Sequence, residues 1–430
     1  MSDAAALAGA LDASREWFLS ILEPFEEPVL RRQHDVLMSP LLWDLAHVAN
    51  YEDLWLVRAL GGEPTRTGLD DLYDAFKQPR RVREALPLLD LGEARAYGTA
   101  VRARALELLE DSDVGPGAPD PLLRHGFVHQ MVAQHEHQHA ETLLAAIQLL
   151  PPEEEHVLTA PAPPRAQVVP PAEVVVPGGP FTMGTHDAAS LDNERPAHEV
   201  DVPEFWIDAA PVTNGQYRHF VGAGGYDDAR WWSERGWAWR TEAGLVAPQF
   251  WRRDGARWAR LRLGAVEPLP DDEPVQHVGW HEADAYARWA GRRLPTEAEW
   301  EKAARFDPAT GRSRRWPWGD DEPTAARTSL GQRHLGPAPV GAYPAGVSAA
   351  GCHQMVGDVW EWTASDFLAY PGFEWFPYAE YSDVFFGGDY KVLRGGSWAT
   401  HPSVGRATFR NWDHPIRRQI FAGFRTARDA

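Results

Sequence analysis

Cysteine is nearly absent from the 430-residue chain, where Cys352 stands alone. That excludes an internal disulfide, a zinc site built on two or more thiolates, and any two-cysteine redox cycle. Metal or redox chemistry would have to draw most of its ligands from histidine. There is no uninterrupted run of 18 apolar residues and no basic-plus-apolar leader, so neither a membrane span nor export is expected, and the chain reads as soluble and cytoplasmic. Positive charge is also scarce: 42 Lys and Arg against 62 Asp and Glu give a formal net charge of −20. An acidic surface repels phosphate backbones and anionic lipid, so nucleic acid and membranes are not expected partners.

What the chain does contain is unevenly spread. Of its 20 tryptophans, only Trp17, Trp43 and Trp55 precede residue 160, and 28 of its 37 glycines follow that point. Pro151-Pro152, Pro161-Ala162-Pro163-Pro164 and Pro170-Pro171 mark a seam that cannot hold a helix. Two domains are expected, 1–160 and 161–430. The first reads as helical. Ser39-Pro40 predicts a helix start with an uninterrupted run to Leu60 before Gly61-Gly62, and Asp120-Pro121 predicts a second long helix bounded by Pro151. With helices near 3–23 and 92–111, this makes a four-helix bundle. The second domain reads as irregular α+β, with few clear helices. Strands are expected at Ala172–Val176 and Glu199–Ile207, and helices at Glu282–Ala290 and from Thr296, with a Glu299 capping box, to about Arg305.

The Asp120 segment carries His125, His129, His135, His137 and His139. At about 100° per residue, His135 and His139 fall on the apolar stripe of Val128, Met131, Val132, Leu143 and Ala146, while His137 points toward solvent. A buried i, i+4 histidine pair followed by Glu141 either finds partners in the core or binds a metal. His47, on a face with Trp43 and Tyr51, is the candidate third ligand; Glu141 reads as an orienting residue, not a ligand. Three imidazoles leave coordination positions open, and imidazole suits Zn, Cu, Fe and Ni alike.

His47 with His135-x-x-x-His139-x-Glu141 in a bundle resembles the DinB-like domain of the ergothioneine-type sulfoxide synthases. The second half resembles the C-type-lectin-like sulfatase-modifying-factor domain of formylglycine-generating enzymes. The motifs are Pro177-Gly178-Gly179-Pro180-Phe181-Thr182-Met183-Gly184, Pro211-Val212-Thr213-Asn214, Arg293-Leu294-Pro295-Thr296-Glu297-Ala298-Glu299-Trp300-Glu301, Gly357-Asp358-Val359-Trp360-Glu361-Trp362 and Leu393-Arg394-Gly395-Gly396-Ser397-Trp398. The order of both halves, ending in Phe409-Arg410-Asn411-Trp412-Asp413 and Arg417–Arg425, is similar to that of the sulfoxide synthase family.

The resemblance implies Fe(II) on His47, His135 and His139, O2 as co-substrate, and joining of γ-glutamylcysteine sulfur to the imidazole of hercynine. It further implies Tyr378 as proton donor with Tyr381 beside it, Gln138, Asn411 and Trp412 on hercynine, and Arg80, Arg83, Asp413 and Arg417 on γ-glutamylcysteine. Six arginines against two aspartates in residues 401–430 read as a positive patch suited to a dicarboxylate, with Arg406, Arg425 and Arg428 as ordinary ion-pairing residues. Formylglycine-generating enzymes use active-site cysteines to hold copper, so a single cysteine excludes that activity. Two alternatives stand beside this reading: a related synthase using cysteine, histidine or a selenium donor, and a non-catalytic lectin-like binding protein.

Overall fold

The computed structural model describes residues 3–151, 158–255 and 257–430. It divides into two compact units, one running to residue 157 with Asp187–Ala189 added, the other comprising Leu158–His186 and Ser190–Ala430. The first unit holds α1 (Asp3–Leu22), α2 (Glu27–Arg31), α3 (Leu41–Glu52), α4 (Asp70–Tyr73), α5 (Leu91–Glu110) and α6 (Phe127–Ile147). α1 packs on α6 and α3 packs on both α5 and α6, which makes the bundle. Its core includes Leu11, Phe18, Leu41, Trp43, Val101, Val128 and Leu143, all fully enclosed. Each contributes about 1.5–3 kcal/mol over an exposed position. α5 starts where Asp90 and Glu93 form a reciprocal capping box.

Four details depart from the sequence reading. Pro40, not Ser39, occupies the N-cap of α3, and the Ser39 hydroxyl instead accepts from Arg83 Nη1 at 2.6 Å. The run to Leu60 is not one α-helix, because Asp53–Arg58 winds as a π-turn before Gly61 (φ +92°) ends it. Nor does α6 open at Asp120: that carboxylate caps a turn at Leu122, and left-handed His125 and Gly126 break the backbone before Phe127. His125 is therefore outside the helix. His137 is buried rather than solvated, since α6 is flanked by α1 and α3 and encloses Gln134, Glu136 and His137 together.

The second unit is α+β. Its elements are β1 (Glu173–Val176), β2 (Gly179–Met183), β3 (His198–Val202), β4 (Phe205–Asp208), α7 (Asn214–Gly222), α8 (Glu234–Glu242), β5 (Trp251–Asp254), β6 (Arg257–Arg262), β7 (Ala265–Pro268), α9 (Trp280–Trp289), α10 (Glu297–Arg305), β8 (Phe306–Asp307), β9 (Arg312–Ser313), β10 (Trp360–Asp366), β11 (Lys391–Arg394), β12 (Asn411–Asp413), β13 (Ala422–Gly423) and β14 (Ala427–Asp429). The largest sheet has the order β12-β11-β10-β13, with β13 parallel to β10, and a second has β1-β4-β14. The stretch expected as one strand at Glu199–Ile207 is split at Pro203-Glu204, so that β3 pairs with β2 and β4 with β1. Helices α7 and α8 add to those expected; Thr213 and Gln216 cap α7 reciprocally and Ser233 caps α8. Thr296 and Glu299 cap α10 as the sequence predicts. Trp300, Trp362 and Trp398 lie wholly inside. Among the described residues no helix is long and apolar enough to cross a membrane.

Candidate functional site

α3 carries His47, and α6 carries His135 and His139 one turn apart; each offers one nitrogen, all within 4.8 Å of one another. Ring centroids are 5.3 Å (47–135), 4.7 Å (47–139) and 4.6 Å (135–139) apart. His47 Nδ1 lies 2.7 Å from the Tyr73 carbonyl, which can only accept, so Nδ1 carries the proton and Nε2 keeps a lone pair. His139 Nδ1 faces Asp44 Oδ1 at 3.2 Å, a carboxylate–histidine pair that orients the ring in the same sense. Trp43 stacks on His47 at 4.6 Å, and Tyr51 on His135 at 3.7 Å, fixing both ring planes.

Burial, reinforced by the neighbouring His139, drives His47 down to about 3. Burial and then both companion histidines drive His135 well below its ordinary value. Both rings are therefore neutral at pH 7. Buried His135 Nδ1 has no hydrogen-bond partner among the described residues. Two neutral imidazoles and a third, His139, oriented by Asp44 fit a first-row divalent cation and leave coordination positions for ligands. Asp44 was missed by sequence reasoning because its partner is 95 residues away on another helix.

Of the other expected residues in this unit, Arg80 opens an exposed 3₁₀ turn, and Gln138 sits on α6, its carbonyl accepting from Thr142. Arg83 is buried. Its nitrogens donate to Gln78 O, Ser39 Oγ and Ala75 O, and the guanidinium lies 3.6 Å over the Trp43 ring.

In the second unit Tyr378 and Tyr381 meet edge to face at 6.2 Å, and Tyr381 meets Trp412 edge to face at 6.0 Å. Trp412, on β12, stacks on Phe367 at 4.2 Å. Asn411 Oδ1 accepts the Trp412 N–H, leaving its amide hydrogens as donors, and Asp413 accepts from Arg417 at 3.2 Å. The expected positive patch is not formed. Arg406 pairs with Glu194, Arg410 with Glu297, Arg418 with Glu282, Arg425 with Glu361 and Arg428 with Glu173, each carboxylate coming from elsewhere in the same unit. The C-terminal arginines are charge-matched internally because the fold returns to acidic partners that the linear window does not contain. Cys352 is fully buried and its thiol is pushed up to about 11, remote from nucleophile or ligand chemistry.

Residues 159–430 match the Sulfatase-modifying factor enzyme 1-like domain family, and residues 10–143 the DinB superfamily. The hercynine oxygenase of Mycolicibacterium smegmatis is 53% identical, with 98% of each chain covered. That of Mycobacterium tuberculosis is 52% identical, with 95% of each covered. The formylglycine-generating enzyme of Streptomyces coelicolor is 35% identical across 60% of this chain and 89% of its own.

Proposed function

The chain belongs to the hercynine oxygenase family, and we propose that it joins the sulfur of γ-glutamylcysteine to the carbon between the imidazole nitrogens of hercynine as a sulfoxide. In the balanced reaction a C–H and an S–H bond are lost and a C–S bond forms. One oxygen atom of O2 ends on sulfur, and the other leaves as water with the two hydrogens. The observation that carries the reading is the convergence of His47, His135 and His139, one nitrogen from each, with His47 and His139 oriented by Tyr73 O and Asp44.

Fe(II) held by these three histidines would supply the one-electron chemistry that reaction with O2 requires. The helical domain, 1–160, contributes the ligands, and 161–430 the catalytic and most of the substrate-binding residues. Tyr378 holds a phenolic proton at pH 7 and gives it up as oxygen is reduced, with Tyr381 bracing its ring. Trp412 offers an aromatic face to the trimethylammonium group, which needs no hydrogen bond. Gln138 and the Asn411 amide hydrogens bind the polar part of hercynine. Arg80, Arg83 and Arg417 take the carboxylates of γ-glutamylcysteine and Asp413 its ammonium group. The setting is the cytoplasm, where the thiol substrate stays reduced.

Anaerobic loading with Fe(II), followed by hercynine, γ-glutamylcysteine and O2, is expected to consume one O2 per sulfoxide conjugate, and His135→Ala to retain neither iron nor turnover. Absence of conjugate with every thiol tried would overturn the reading.

A further inference from the structure

The 3₁₀ turn Asp192–Glu194 buries three polar side chains in succession, Asp192 and Asn193 at 1% exposure and Glu194 at 0%. Burying unmatched polar groups costs about 1–3 kcal/mol each, so their partners reveal what the turn is for. Glu194 accepts from Arg406 and from Thr408 Oγ1 at 2.7 Å, and its Oε1 also accepts from the Leu191 N–H at 3.0 Å. The Asn193 carbonyl accepts from Arg410 at 3.0 Å, and Arg410 is itself paired with Glu297. The turn is thereby fixed to the segment that leads into β12 and Trp412.

The remaining groups reach the tyrosine loop. Asp192 Oδ1 accepts from Ser382 Oγ at 2.6 Å, and the Asn193 amide donates to the same oxygen at 3.0 Å. With one donor and one acceptor in place, the hydroxyl has a single orientation. Ser382 follows Tyr381 directly, between the 3₁₀ turns Ala379–Tyr381 and Asp383–Phe385. It is the one buried residue between Pro371 and Tyr390, in a loop that exposes Trp375 and Val384 by more than half. Burial raises Asp192 to about 6, so at neutral pH it is a carboxylate, and a short O–H···O⁻ contact is of the stronger kind.

We propose that Asp192, acting through Ser382, is a positioning residue for Tyr378 and Tyr381: an anchored post on which an otherwise exposed loop is hung, setting turnover rather than substrate affinity. Neither side chain need touch substrate or metal. This rests on the reading of Tyr378 as the proton donor. Phe386 and Phe385 also tie the far end of the loop to Phe367 and Trp412, so removing its one buried polar anchor shifts the Tyr378–Tyr381 stretch without releasing the whole loop, and misplacing a catalytic group by about 1 Å costs on the order of 100-fold.

The test compares Ser382→Ala, Asp192→Ala, Asp192→Asn, the Ser382→Ala/Asp192→Ala pair and Tyr378→Phe in the iron-loaded full chain. Steady-state constants for both substrates are read alongside hydrogen exchange of the metal-free protein. Ser382→Ala and Asp192→Ala should each lower kcat about tenfold or more with both KM values within about twofold, and the double variant should be no worse than either single one. Asp192→Asn, whose amide oxygen still accepts from Ser382, should recover kcat to within about threefold of the parent. Amides of 378–386 should exchange about tenfold faster in the alanine variants, while those of 411–413 stay unchanged. Undiminished kcat in Ser382→Ala, a loss carried by KM, or an asparagine variant as poor as alanine would each overturn the proposal. Since Ser382 lies in an exposed loop, its variant remains informative if Asp192→Ala fails to fold. Full turnover in Tyr378→Phe would remove the reading beneath the proposal, whereas a Tyr378→Phe defect with normal Ser382→Ala removes the proposal alone.

Discussion

In the helical unit, backbone hydrogen bonds are closed within four long helices, and Arg15 and Arg102 sit between the buried Glu52 and Glu136, linking all four. In the second unit the strands are two to seven residues long, and buried arginines complete the hydrogen bonding of the connections. Arg410 donates to the carbonyls of Asn193 and Leu368, Arg425 to those of Asp208 and His353, Arg394 to Ala407, and Arg305 to Gly184 and Arg314. Each also holds a carboxylate. Arg83, from a short 3₁₀ turn outside the α-helices of the first unit, behaves in the same way toward Gln78 and Ala75. Where the chain leaves helices, a five-donor guanidinium meets the carbonyls that a helix would have met itself. The candidate sites differ accordingly: imidazoles kept neutral by burial in one unit, aromatic rings mounted on an ionic frame in the other.

Six substitutions test that contrast. The largest effect on stability is expected from Glu297→Ala, which leaves Arg410 without a carboxylate and Arg394 with Glu301 alone. It should cost about 3–5 kcal/mol in denaturant unfolding. Glu136→Ala leaves Glu52 to both Arg15 and Arg102 and should cost about 1–3 kcal/mol; the reverse ranking would break the comparison.

Asp44→Ala should weaken Fe(II) binding about 10- to 100-fold, measured by chelator competition, because His139 loses the group that orients it. Unchanged affinity would show that helix packing alone sets the ring.

One buried group in each unit should respond oppositely to pH. His129, enclosed in α6 with neither ring nitrogen bonded among the described residues, is lowered by burial to about 4. Between pH 6.5 and 4 the unfolded chain takes up this proton and the folded one does not, so stability falls as pH drops. Asp358, fully buried, is raised by burial to about 7, so the folded chain holds the extra proton and stability falls as pH rises from about 4 to 7. His129→Leu and Asp358→Asn should each flatten its own limb by on the order of 1–3 kcal/mol in unfolding measured across pH 4–8. Parallel slopes in the two variants would contradict the contrast.

The smallest stability change is expected from Arg417→Ala, since its Asp413 partner is partly exposed. Its effect should fall on binding, raising KM for γ-glutamylcysteine several-fold and for cysteine far less. Equal shifts would point to free cysteine as the thiol donor.

Much of this was legible along the chain. Capping pairs at Asp90, Thr213 and Thr296 act within three residues, so local sequence suffices to place α5, α7 and α10; the helices α5 and α10 were expected, but of the capping pairs only that of Thr296. The i, i+4 spacing of His135 and His139 depends on helix geometry alone. The ordered motifs of the second half carried the α+β class. The start of α6 was not legible, since it depends on His125 and Gly126 adopting positive φ, and neither was the burial of His137, which depends on neighbours packed across the bundle.

The sequence by itself thus determined the class of each half, the exclusion of any chemistry that needs two cysteines of this chain, and the helix that presents two histidines one turn apart. Tertiary structure alone decided which groups neutralise and orient them. Asp44 reaches His139 across 95 residues, Arg410 reaches Glu297 across 113, and Arg406 reaches Glu194 across 212. Capping and periodicity act over one or two turns of backbone, whereas charge pairing is settled by distance in space. A window of 30 residues rich in arginine therefore looked like a surface for anions, and folding turned most of it inward as a frame.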